Sequence, residues 1–115
     1  MMHETALAKE IVAIAAEILE KQPQTRLDAV RVTIGEMIAV VPDLLKHAYD
    51  SLVTGTPLHN SSLEIEIIPI TAACEKCNQS FGLDEYNFLC PFCQSPDIQI
   101  KTGNEFYIKE LEVSP

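Results

Sequence analysis

Tryptophan is absent from this 115-residue chain, glycine occurs four times, and lysine and arginine together occur only 8 times. The basic residues form no cluster. Nucleic-acid binding and docking on an anionic membrane both draw on grouped Lys and Arg to neutralise phosphates, so both are disfavoured. Long apolar runs are missing too. The longest near the start is Ile11 to Ala16, preceded by Lys9 and Glu10, which is too short to span a bilayer and lacks the layout of a secretory signal. A cytoplasmic location is expected, and with it reduced thiols rather than disulfides. The usual signatures of catalysis are lacking as well: there is no phosphate loop, no nucleophile elbow and no His-Glu-x-x-His helix. His47 and His59 are isolated, and Glu64 and Glu66 read as a solvated strand face rather than an acid–base pair. The chain is not expected to be an enzyme.

What is present is an acidic, well-patterned chain. Asp and Glu number 17, giving a formal net charge of −9, which suits solubility, a basic partner or a cation. The length allows one ordinary domain, or one domain carrying a small insert. Between Ala6 and Leu19, Leu7, Ile11, Ile14 and Ile18 recur at helical spacing, with Val12, Ala15 and Leu19 widening the stripe. Val30, Val32 and Ile34 alternate with Arg31 and Thr33 as in a half-buried strand, which Gly35 ends. Pro42 and Asp43 open a second helix with Leu44, Leu45, Ala48 and Leu52 as its buried face. A strand follows from Leu63 to Ile70, and another from Glu105 to Val113, in which alternation slips between Ile108 and Leu111. The shorter Ile98–Ile100 alternation is expected to return to the same sheet.

The four cysteines, Cys74, Cys77, Cys90 and Cys93, form two Cys-x-x-Cys pairs. Two residues between thiolates let a tight turn aim both sulfurs at one metal, and a second such turn completes a tetrahedron. The surrounding segment is poor in aliphatics and needs a staple, which structural zinc supplies at roughly 10–16 kcal/mol in zinc-finger peptides. Four thiolates leave no open position for water, so the site is structural rather than hydrolytic. Zinc is the first choice; iron in a rubredoxin-like redox module is the alternative, and a zinc-ribbon adaptor protein is another. Asn78 after the first knuckle tolerates the left-handed conformation well, and Gln94 after the second does so less readily. Phe81, Tyr86, Phe88 and Phe92 are expected to pack around the knuckles. The fold class is α+β: two helices on a small mixed sheet, with an inserted zinc-ribbon-like domain.

Met1-Met2-His3-Glu4 stands directly before the first helix. An amine, deprotonated backbone amides and an imidazole make a nitrogen-rich square-planar site suited to Ni(II) or Cu(II). With Met1 retained, His3 is third and four nitrogens close the chelate; a chain starting at Met2 makes His3 second and changes the geometry. A lone terminal His is more often simply solvated.

Together, these residues resemble the HypA/HybF family, the nickel metallochaperones of NiFe-hydrogenase maturation. The resemblance runs through Met2-His3-Glu4, Ile34-Gly35-Glu36, Pro42-Asp43-Leu44-Leu45, Leu63-Glu64-Ile65-Glu66, both knuckles, Gly103 and Leu111-Glu112-Val113. It implies a nickel domain from residues 1–70 plus 102–115 and a zinc domain over 71–101. It implies His3 as principal nickel ligand, with Met2 and Glu4 contributing terminal or backbone nitrogen, and Cys74, Cys77, Cys90 and Cys93 as zinc ligands. Zn(II) would be structural and Ni(II) the transported ion. The partners it implies are the GTPase HypB and the hydrogenase large-subunit precursor, and a homodimer is compatible with it. Two features depart from the family pattern: Met1 precedes the usual start, and no histidine flanks either knuckle.

Overall fold

Helical periodicity in the first twenty residues becomes α1, Glu4–Glu20, in the computed structural model, which describes residues 3–23, 25–83 and 87–115. Leu7, Ala8, Ile11 and Ala15 form its buried arc. Ile14 and Ile18, expected in the stripe, are 41% and 38% exposed. With Ala8 and Ala15 on the buried arc, its centre is turned away from Ile14, which falls at its edge, and Ile18 lies in the last turn. The second helix, α2, spans Pro42–Val53, with Pro42 at its start and Asp43 in its first turn.

α2 buries Leu45, Tyr49 and Val53, spaced by four. Leu44 is 54% exposed, and Ala48 and Leu52 are half-buried, so the core face is turned by one residue from the expected one. Tyr49 explains the turn. Its hydroxyl meets Ser61 Oγ at 2.5 Å, and Ser61 Oγ donates to the Leu58 carbonyl at 2.6 Å, so a buried phenol is satisfied. The two helices pack against each other.

β1, Arg26–Gly35, is the middle strand of a three-stranded sheet between β2, Ser62–Ile68, and β6, Phe106–Ser114. As a middle strand it is buried on both faces more than simple alternation predicts. Thr33, expected to point outward, is buried, and its hydroxyl donates to Glu66 Oε1 at 3.3 Å. Arg31 meets Glu64 at 3.2 Å, Glu110 at 3.3 Å and Glu112 at 3.6 Å, so Glu64 belongs to a charged strand face as expected. Such exposed pairs contribute little individually.

The remaining strands are β3, Thr71–Cys74, β4, Ser80–Gly82, and β5, Ile98–Thr102. They form a separate antiparallel sheet in the order β4-β3-β5. The Ile98–Ile100 alternation therefore pairs with Thr71–Cys74 and does not rejoin the first sheet. The chain divides into two compact units: Met1–Thr33, Val40–Glu66 and Tyr107–Pro115 form one, and Ile34–Ala39 with Ile67–Phe106 form the other. In the second unit the Gly35 N–H donates to the Glu105 carbonyl at 2.7 Å and the Met37 N–H to the Gly103 carbonyl at 2.8 Å. A Cβ on Gly35 would lie 2.0 Å from the Gly103 carbonyl carbon, so this approach requires glycine. The class is α+β, two helices with small sheets and a cysteine-bearing insert.

Candidate metal centre

Each cysteine pair sits in a turn built the same way. Asn78 N–H donates to the Cys74 carbonyl at 3.0 Å, and Cys74 N–H donates to the Gln79 carbonyl at 2.9 Å. In the second turn Gln94 N–H donates to the Cys90 carbonyl at 2.8 Å, and Cys90 N–H donates to the Ser95 carbonyl at 3.0 Å. Closing each turn requires a left-handed residue, and Asn78 and Gln94 take it with φ of 61° and 66°. The backbone amides then aim at sulfur. Cys74 Sγ accepts from Lys76 and Cys77 N–H, both at 3.4 Å, and Cys90 Sγ accepts from Phe92 N–H at 3.4 Å.

All four sulfurs lie within 4.8 Å of one another. Cys74 and Cys93 Sγ are 3.6 Å apart, as are Cys77 and Cys90 Sγ. These are free thiols, not disulfides. A tetrahedron with metal–sulfur bonds of about 2.3 Å has edges of about 3.8 Å, so the donor set fits one tetrahedral ion. The Cys77 N–H, followed by that of Lys76, draws the Cys74 pKa down to about 7. Cys93 behaves oppositely. The Ser95 N–H favours its thiolate, but the Cys74 sulfur and burial outweigh that and push it up to about 12. Four thiolates this close repel one another, and a divalent cation at their centre is what makes the fully ionised set favourable.

The amino-terminal candidates are placed differently. Met2 lies outside the described residues. His3 is exposed and extended at the N-cap of α1, where its carbonyl accepts the Leu7 N–H at 3.1 Å. The Glu4 carboxylate accepts the Val41 N–H at 3.0 Å, at the start of α2. That bond, together with Glu4's own N–H and then the nearby His3, holds Glu4 below the ordinary carboxylate value of 4.5. His3, Glu4 and Thr5 line a cleft of about 320 Å3 with Leu44, His47, Ala48, Ser51 and Leu52. Sequence reasoning missed both the Glu4–Val41 bond and the place of His47, because each depends on how the two helices pair. The aromatics only partly line the knuckles: Phe81 meets Phe92 edge-on at 6.4 Å, yet Phe92 is 64% exposed and Phe88 43%. Tyr86 lies outside the described residues.

Two sulfur-bearing turns closing on one tetrahedral point, set in an α+β chain, define a protein with a zinc-ribbon-like metal site. Residues 2–113 match the family model described as hydrogenase/urease nickel incorporation, metallochaperone, HypA. The chain belongs to the HypA family, nickel metallochaperones of hydrogenase maturation. It is similar to the hydrogenase maturation factor HypA of Picosynechococcus, 36% identical over 112 residues, covering 97% of this chain and 99% of that protein. The corresponding factor of Desulfatibacillum aliphaticivorans is 33% identical over 114 residues, covering 98% of this chain and 88% of the relative. Among solved structures, the Ni metallochaperone HypA of Helicobacter pylori superposes with a TM-score of 0.64 at 25% identity, covering 96% of this chain and 97% of that one.

Proposed function

We propose that this chain carries Ni(II) at its amino terminus and delivers it to the NiFe-hydrogenase large-subunit precursor in cooperation with the GTPase HypB. His3 is the principal ligand, and Met2 and Glu4 contribute terminal or backbone nitrogen. Residues 1–70 and 102–115 form the nickel-handling part, and residues 71–101 the zinc part, where Cys74, Cys77, Cys90 and Cys93 hold structural Zn(II). The protein works in the cytoplasm, and a homodimer is compatible with the reading. The observation that carries it is an exposed imidazole at the N-cap of α1, hydrogen-bonded to no described residue, in a chain matched from residue 2 to residue 113. Nitrogen donors on a chain end suit a cargo, since they can be unwrapped without unfolding a core. The zinc, once bound, holds two turns together and leaves no coordination position open for chemistry.

Nickel titration of protein with a mass-verified amino terminus tests this. His3→Ala should abolish specific nickel binding while zinc content and helix content stay unchanged, because His3 precedes the first buried residue, Leu7. A tag fused ahead of Met1 should weaken binding by converting the amine to an amide. A His3→Ala protein that titrates like the unaltered chain would move the site elsewhere.

A further inference from the structure

His47 is the one imidazole that shares a cleft with His3, although 44 residues of sequence separate them. The cleft has His3, Glu4 and Thr5 at the start of α1, and Leu44, His47, Ala48, Ser51 and Leu52 along one face of α2. That spacing of three and four places His47 in the middle of the α2 wall, among apolar neighbours. We propose that His47 is a second imidazole ligand of the nickel held at His3, so that the cargo is gripped between the two helices; this rests on the amino-terminal reading above.

Three observations support it. His59, the third histidine, has both ring nitrogens engaged, with the Thr56 carbonyl at 2.9 Å and Asn60 Nδ2 at 3.2 Å. His47 forms no hydrogen bond with any described residue, which leaves its nitrogens available. The Glu4 carboxylate on the Val41 N–H at 3.0 Å fixes the peptide next to His3 against the start of α2. Where the chain starts at Met2, the amine, one amide and the His3 imidazole fill three of four square-planar positions, and a neutral imidazole is a favoured fourth donor. The wall around His47 carries Leu44, Ala48 and Leu52, which offer no competing donor side chain to the metal.

The two models differ in how nickel relates to folding. A purely terminal chelate forms equally well on a folded or an unfolded chain, so it leaves thermal stability unchanged. A ligand from α2 exists beside His3 only in the folded protein, so nickel then stabilises the fold. The experiment measures nickel affinity, nickel-induced change in Tm and the number of coordinated imidazoles by X-ray absorption, on zinc-loaded full-length protein. Native protein should show two imidazoles and a rise in Tm. His47→Gln should show one imidazole, no rise in Tm and an affinity weaker by about tenfold or more, the scale on which metal-site partners act. His47→Gln behaving as native while His3→Ala loses nickel would overturn this inference and leave the amino-terminal reading intact. Nickel binding retained in His3→Ala would overturn both.

Discussion

The bond from the Val41 N–H to the Glu4 carboxylate joins the first residue of α1 to the cap of α2 and favours the ionised acid. A lowered carboxyl pKa means that the charge supports the fold above the ordinary value of 4.5, and that this support is lost as pH falls through the lower folded value. Glu4→Gln should therefore lower Tm at neutral pH, and the difference from the native protein should shrink as pH falls below 4.5 through the lower folded value; thermal melts across that range decide it. Gln94 is the other residue whose conformation matters singly. Held at φ 66°, it carries a left-handed strain that glycine would not. Against the entropy cost of an added glycine, Gln94→Gly should still tighten metal retention by about 0.5–1 kcal/mol. Competition with a coloured chelator should show this as a roughly two- to fivefold gain.

At the scale of elements, burial distinguishes residues that the sequence pattern treats alike. Ile11 is 1% exposed and Ile14 41%, although both are isoleucines of one apparent stripe. Ile11→Ala should cost about 2–5 kcal/mol, and Ile14→Ala about 0.5 kcal/mol, in urea unfolding followed by helical circular dichroism. Both helices, the strands beginning near Leu63 and Glu105, and the two cysteine turns were legible because each follows from period or spacing in contiguous residues. The exact arc buried on α2 was not, since it turns on the distant Ser61 that satisfies Tyr49. Nor was the second sheet, because two short alternations carry no sign of which partner they choose. At the metal centre the sulfur set was legible in full from its spacing. The cleft shared by His3 and His47 was not, because no local pattern couples the start of one helix to the middle of another.

At the scale of the molecule, the two units have different sources of stability. The first holds Leu7, Ile11, Leu45, Tyr49, Leu27 and Val32 at 0–1% exposure. The second has few large buried side chains beyond Ile34 and Ile70, and Cys74 and Cys90 are themselves part of its interior. A Cys77→Ala/Cys90→Ala variant should lose its equivalent of zinc and its amide protection across 71–101, while the first unit keeps its helices. Metal analysis with hydrogen exchange reads both, and a full zinc equivalent in that variant would refute the assignment. The division of the chain also bears on its synthesis. The first unit needs residues 107–115, yet all four cysteines precede them in the chain. On the ribosome, the segment bearing His3 therefore waits, with its sheet one strand short, until the entire cysteine insert has emerged. Such long sequence separation slows folding. The insert has an opportunity to meet its metal before the first unit can close.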